Sequence, residues 1–119
     1  MDDSSGARWC RAGAASALAP GDAARVAVGS HRIAVFNLDG AFYAISDICT
    51  HEHAHLSDGY VDGETVECPL HQALFHIPTG RVLAAPAVES VRTYPVRVRD
   101  GVVEVRVNGC PETCPTNPK

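Results

Sequence analysis

Apolar and polar residues alternate over short stretches that glycine keeps interrupting, the pattern of half-buried β-strands. Two pairs of such stretches frame an Asp-Gly step: Arg32 to Leu38 and Ala41 to Ser46 flank Asp39-Gly40, and Val96 to Arg99 and Val102 to Val107 flank Asp100-Gly101. A two-residue turn needs positive φ at its centre, which Asp-Gly tolerates, so each pair predicts a hairpin. A turn at Asp100 and Gly101 sets Val98 opposite Val103, Val96 opposite Val105 and Arg97 opposite Glu104. Valines then line one face, and opposite charges pair on the other.

Further strands are predicted at Trp9 to Arg11, Ala24 to Val28, Val61 to Glu67 and Ala73 to Ile77, with turns at Gly29-Ser30, Asp62-Gly63 and Pro78-Thr79-Gly80. Only Pro20 to Ala23 suggests a helical turn, and the alanine-rich Leu83-Ala84-Ala85-Pro86 is too short and is stopped by its proline. With no repeat and no low-complexity linker, the pattern predicts an all-β protein, a small antiparallel sandwich or barrel.

Composition narrows the function. At 119 residues, 45% hydrophobic and 20% charged, the chain suits one domain with a modest core. That domain is expected over residues 9–107, with a flexible N-terminus at 1–8 and a flexible C-terminal tail at 108–119. Net charge is −4, and the bases are scattered arginines with one terminal lysine, so no cationic face suits a nucleic acid backbone. The first residues are acidic and small where a secretory signal would be basic, and no apolar run approaches the roughly 18 residues of a membrane helix. The protein is expected to be cytoplasmic, with no membrane partner.

Chemistry concentrates in Cys49-Thr50-His51 and Cys68-Pro69-Leu70-His71, a Cys-x-His and a Cys-x-x-His separated by sixteen residues. Two thiolates and two imidazoles form the mixed ligand set of a Rieske [2Fe-2S] cluster, in which two histidines replace two cysteines on one iron. Each pair follows a predicted strand, near Ile45 and near Glu67, so two loops can clamp one cluster. Within each loop one residue reaches one iron and the other the second, giving an all-thiolate and an all-imidazole iron. A zinc finger would instead pair cysteine with cysteine and histidine with histidine. Two thiolates around an oxidised core of charge +2 leave the site neutral, so an electron enters more easily than at a four-thiolate cluster, and the potential falls in the roughly −150 to +300 mV span of such centres. Imidazole keeps one ring nitrogen for solvent or a hydrogen-bonding partner, which makes His51 and His71 the natural exit for the electron.

Five cysteines are an odd count, which a disulfide framework does not predict. Beyond Cys49 and Cys68, the remaining Cys10, Cys110 and Cys114 are expected to be free thiols in a reducing cytosol. Cys110 and Cys114 sit in a proline-rich tail with no nearby histidine to complete a set of four metal ligands.

From Asp47-Ile48-Cys49-Thr50-His51 through Leu56-Ser57-Asp58-Gly59, Val66-Glu67-Cys68-Pro69-Leu70-His71, Phe75 and Thr79-Gly80, the chain resembles bacterial Rieske-type ferredoxins of aromatic ring-hydroxylating dioxygenase systems, over about Trp9 to Val107. The resemblance implies a Rieske-type sandwich of small antiparallel sheets with two cluster-binding loops. It implies an electron carrier that takes single electrons from a flavin-containing NAD(P)H-dependent reductase and hands them to a terminal oxygenase, and a protein expected to act as a monomer. By similarity Cys49 and Cys68 bind one iron, His51 and His71 the other, and Pro86 belongs to a loop covering the cluster. Respiratory Rieske proteins differ in carrying an extra disulfide between the loops and a serine and tyrosine that hydrogen-bond at the cluster. Ala54 and Leu70 stand where those cysteines would fall, and Ala73 and Phe75 where the serine and tyrosine would, which predicts a low-potential centre.

From Asp47 to Glu67 there are six acids, Asp47, Glu52, Asp58, Asp62, Glu64 and Glu67, and no lysine or arginine, while residues 68 to 119 hold six bases against four acids. A negative cluster end that steers toward basic docking patches is one expectation, and a solvated acidic loop is the other. His53 and His55 are expected to be solvent-facing loop residues. His76 stands where the family often has an acid, and His31 sits beside a turn, neither with evident metal partners. Trp9 and Phe36 are expected to fill the core.

The leading function is an electron-transfer ferredoxin that is not itself an enzyme, because a catalytic oxygenase would need a further domain with a mononuclear iron site. An accessory Rieske subunit or redox sensor would share the cluster without the diffusing role. A structural zinc module would use the same four ligands, against their spacing.

Overall fold

The computed structural model describes residues 8–29, 31–48, 54–69, 73–84 and 89–107. The strands are β1 (Arg8–Ala14), β2 (Ala23–Val28), β3 (His31–Leu38), β4 (Ala41–Ser46), β5 (Tyr60–Asp62), β6 (Thr65–Glu67), β7 (Leu74–His76), β8 (Val82–Ala84), β9 (Thr93–Tyr94), β10 (Val96–Arg99) and β11 (Val102–Val107). They form three sheets, in the orders β1-β11-β10, β2-β3-β4-β9 and β5-β6-β7-β8. Every pairing is antiparallel, as the all-β pattern predicts.

Both Asp-Gly steps turn as the sequence requires. Asp39 and Gly40 have φ of 58° and 98°, and Asp100 and Gly101 have φ of 53° and 77°, the positive pair of a type I′ turn. β10 meets β11 in the expected register, with Val96 opposite Val105, Arg97 opposite Glu104 and Val98 opposite Val103. Arg97 Nε donates to Glu104 Oε1 at 2.6 Å on the outer face. The valine face is buried at Val103 and Val105, but Val98, next to the turn, projects past the core and is exposed.

The central sheet is covered on both faces, which explains why Ile33 to Leu38 reads as an almost continuous apolar run. Ile33 and Val35 join Cys10, Val28, Ala44, Tyr94, Val103, Val105 and Val107 in a core against the β1-β11-β10 sheet. Ala34 and Phe36, alternating with them, enter a second core with Ile45, Leu56, Val66, Cys68, Phe75 and Ile77 against the β5–β8 sheet. The third sheet therefore has a hydrophobic floor of its own. Phe36 fills that floor as expected, whereas Trp9 is only half-buried and carries the Arg97 guanidinium 4.2 Å over its ring.

Several local expectations change. The turn expected at Asp62-Gly63 is present, with Gly63 at φ 62°, but it divides Val61 to Glu67 into two strands, β5 and β6, paired as a hairpin. The helical turns lie at Ala15–Ala17 and Leu56–Asp58, both 3-10, while Pro20 and Gly21 form a plain turn and Ala23 already begins β2. β8 and β9, three and two residues long, fall where no strand is expected. Across β8 the register shifts between Leu74 and Phe75, whose partners are Ala84 and Val82. Ser30 of the first predicted turn and both chain ends, 1–7 and 108–119, lie outside the described residues.

Candidate iron–sulfur site

Of the four expected ligands, Cys68 is described, and Cys49, His51 and His71 lie outside the described residues. Cys68 follows β6 directly and has no solvent exposure. Its backbone N–H donates to Ala73 O at 2.7 Å, one step beyond the pairing of Glu67 with Leu74, so the chain between 68 and 73 leaves and returns at one point. Ala73 is itself fully buried and Ala54 nearly so, both in the core shared with Cys68. Small side chains occupy the two positions where a respiratory protein would place a cysteine and a serine; Leu70 and Pro86 lie outside the described residues.

The first loop is closed in the same way. Ile48 bridges to His55, and Leu56 N–H donates to Asp47 O at 2.6 Å, so the chain on either side of residues 49–53 is joined by backbone pairing. Gly59, just past the 3-10 turn, joins this paired segment to β6. A Cβ there would collide with the backbone oxygen of Glu67 and press on Val66 and on Leu56 O. Only glycine allows the chain leaving the first loop to lie this close to the strand that leads to Cys68. The described residues therefore suit a thiolate-held group: a buried sulfur at Cys68, with the chain segments on either side of residues 49–53 packed beside it.

Asp47 overturns part of the charge expectation. It is fully buried, not a surface acid, and its side chain sits 3.2 Å from Arg25 Nε and 2.6 Å from His55 Nδ1. Asp58 pairs with Arg25 Nη2 at 2.7 Å, and Glu64 with His76 Nε2 at 3.0 Å. Glu64 also lies at the far end of the β5–β6 hairpin, four residues before Cys68, or roughly 13 Å at about 3.3 Å per residue. The acidic run is thus divided between the buried Asp47, the surface ion pair of Asp58 and the opposite end of the sheet at Asp62 and Glu64, with Glu67 left beside Cys68; Glu52 lies outside the described residues.

His55 is part-exposed, as a loop residue is expected to be, and its Nδ1 is also engaged by Asp47. His53 lies outside the described residues. His76 Nδ1 is 2.8 Å from Thr79 Oγ1, and His31 Nδ1 is 3.1 Å from Tyr94 Oη. Among the described residues no three His, Cys, Asp or Glu side chains converge as a metal site. Burial pushes the Tyr94 phenol up, and the Arg92 guanidinium near its ring partly offsets this. Sequence reasoning missed Arg25, Ser57 and the structural use of Asp47, although the acid two residues before Cys49 was already conspicuous as the first of the acidic run.

The Rieske [2Fe-2S] domain model matches residues 8–95, and the chain belongs to that family. It is 44% identical over 107 residues to the anthranilate 1,2-dioxygenase ferredoxin subunit of Burkholderia cepacia, covering 90% of this chain and 99% of the relative. It is 40% identical to the ferredoxin component of the naphthalene 1,2-dioxygenase system of Pseudomonas putida, covering 78% and 89%. Its fold matches a chain in a solved complex of reduced oxygenase and oxidised ferredoxin of carbazole 1,9a-dioxygenase, with a TM-score of 0.78, 39% identity and coverage of 82% and 91%. Within the family the chain is an electron-transfer ferredoxin carrying a Rieske-type [2Fe-2S] cluster, a carrier and not a catalytic oxygenase. No helix among the described residues is long and apolar enough to cross a membrane.

Proposed function

We propose that the chain carries single electrons from a flavin-containing NAD(P)H-dependent reductase to a terminal aromatic-ring-hydroxylating oxygenase, with Cys49 and Cys68 on one iron and His51 and His71 on the other. The observation that carries the ligand assignment is the buried thiol of Cys68 at a closed loop neck, packed beside the neck of the loop that contains Cys49 and His51. The unequal Cys-x-His and Cys-x-x-His spacing supports dividing the ligands by type between the irons. When bound, the cluster supplies a one-electron carrier; the protein supplies the loop geometry and the dry floor of Leu56, Ala73 and Phe75.

The relatives support the partners. They are ferredoxins of named dioxygenase systems, and one structural match comes from a ferredoxin and oxygenase complex. The carrier works in the cytoplasm as a monomer whose functional domain spans residues 9–107. The ligand test is visible absorption, electron paramagnetic resonance of the reduced protein, and iron and sulfide analysis of the wild type and of single substitutions at the four positions. A colourless protein with zinc and no sulfide would overturn the reading. The carrier role is tested by mixing the protein with a reductase and an oxygenase and following NADH oxidation coupled to ring hydroxylation; oxidation that proceeds equally without it would refute that role.

A further inference from the structure

A carboxyl side chain shut off from solvent is costly unless it is fully partnered, and Asp47 is the charged residue with that burial among the described residues. Its partners come from three directions. Ser57 donates its backbone N–H to Oδ1 at 2.7 Å, His55 Nδ1 donates to Oδ2 at 2.6 Å, and Arg25 Nε lies 3.2 Å from the same Oδ2. The backbone is engaged as well: Asp47 N–H donates to Arg32 O at 2.8 Å and its carbonyl accepts from Leu56 N–H at 2.6 Å. Arg25, reaching over from β2, also donates to Ser57 Oγ at 3.1 Å and to Asp58 Oδ2 at 2.7 Å. The residues just before loop 49–53 and those just after it are therefore fastened to one buried side chain.

We propose that Asp47, supported by Arg25 and His55, is the positioning residue of the first iron–sulfur loop: it fixes the separation of the loop's ends and so holds Cys49 and His51 ready for the group that Cys68 and His71 share. This rests on the ligand assignment above. A loop whose ends are already fixed has lost part of its closure entropy before anything binds, so less is lost on binding. Partners that orient ligating residues typically change metal affinity by about 10- to 100-fold when removed. Arg25 is the informative member because it is half-exposed and reaches Asp47 from β2, two strands away from the β4 strand that leads into the loop. It belongs to neither hydrophobic core.

The experiment uses the full-length protein and compares Asp47→Asn, Arg25→Gln and Arg25→Lys with the wild type. Three quantities are read: the rate at which visible absorbance is lost to an iron chelator, the g-values of the reduced protein, and the melting temperature of the cluster-free protein. Asn at 47 keeps an acceptor for the Ser57 N–H but turns an amide donor toward Arg25 and His55. It should release iron about 10-fold faster or more and shift the g-values. Arg25→Gln should act in the same direction with a smaller change, and Arg25→Lys should recover part of it. Wild-type release rates and g-values in both Asp47→Asn and Arg25→Gln, however far the melting temperature falls, would make Asp47 a strut of the fold and overturn the proposal. If Asp47→Asn does not fold, the Arg25 pair decides by the same criteria. A wild type without iron and sulfide would instead overturn the ligand assignment and this inference together.

Discussion

Gly59 lies against the backbone oxygen of Glu67, so the chain that follows residues 49–53 touches the strand that leads to Cys68. The contact is steric and not conformational, because the φ of Gly59 is −80°, open to any residue. Gly59→Ala should therefore destabilise the protein by overpacking, at about 2 kcal/mol, and should weaken iron retention because the two necks move apart. Chemical denaturation of the cluster-free protein together with chelator challenge of the loaded protein checks both. Unchanged values would mean that the strand yields freely.

Gly101 presents the opposite case. A Cβ there meets nothing within 4 Å, but φ is +77°, in the left-handed region. Gly101→Ala should cost about 1 kcal/mol through backbone strain alone. Gly101→Asn should cost less, since Asn tolerates that region. Equal losses for Ala and Asn in denaturant melts would point to a packing role that the open surroundings do not provide.

These two glycines show why part of the structure was legible in the sequence and part was not. The Asp100-Gly101 turn is decided by residues adjacent in the chain, and the register of β10 and β11 follows by counting outward from it. Gly59 against Glu67, and Arg25 against Asp47, are meetings of distant segments whose local patterns are unremarked. β8 and β9 are too short to show a period of two, and Leu83 sits where the β7–β8 register shifts, which removes even that hint. The candidate ligand set stands out in the sequence because cluster chemistry fixes residue types and spacing. The partners of Asp47 do not stand out, since an acid at that position reads equally well as surface charge until Asp47 is found buried.

Arg97 joins the hairpin to the first strand through two contacts, the 2.6 Å bond to Glu104 and its guanidinium 4.2 Å over Trp9. Both are partly solvent-exposed, so each contributes modestly. Arg97→Ala should cost about 1 kcal/mol, whereas Glu104→Gln, which spares the ring contact, should cost roughly half as much. Raising salt should shrink the Glu104 effect more than the Trp9 effect. A double-mutant cycle over Arg97, Glu104 and Trp9 at low and high salt measures this, and a salt-independent Glu104 coupling would contradict it.

Tyr94 gives the fold an alkaline limit. Burial raises its folded-state pKa above the unfolded value near 10, so the fold prefers the neutral phenol. Its contribution is fully present below the unfolded pKa and is lost as pH climbs from there through the folded pKa. Wild-type stability should fall more steeply above about pH 10 than that of Tyr94→Phe. At neutral pH that variant should instead be the weaker by about 1 kcal/mol, having lost the oxygen 3.1 Å from His31 Nδ1. Parallel stability curves across the alkaline range would show that the phenol does not titrate with unfolding.

The charge of the ligand set makes the last prediction, and it depends on the proposed assignment of His71 to an iron. Imidazole binds as a neutral ligand and thiolate as an anion, so His71→Cys adds one negative charge to the site in both redox states. The added charge opposes the incoming electron more than it opposes the oxidised state, and the reduction potential should fall toward that of four-cysteine clusters. His71→Ala removes a ligand without adding charge and should instead cost cluster retention. Direct electrochemistry of the cysteine variant, on samples shown by iron and sulfide analysis to hold a cluster, measures the shift. A variant that keeps its cluster at the wild-type potential would mean that His71 is not an iron ligand or that charge is not what sets the potential, and chelator challenge of His71→Ala separates the two.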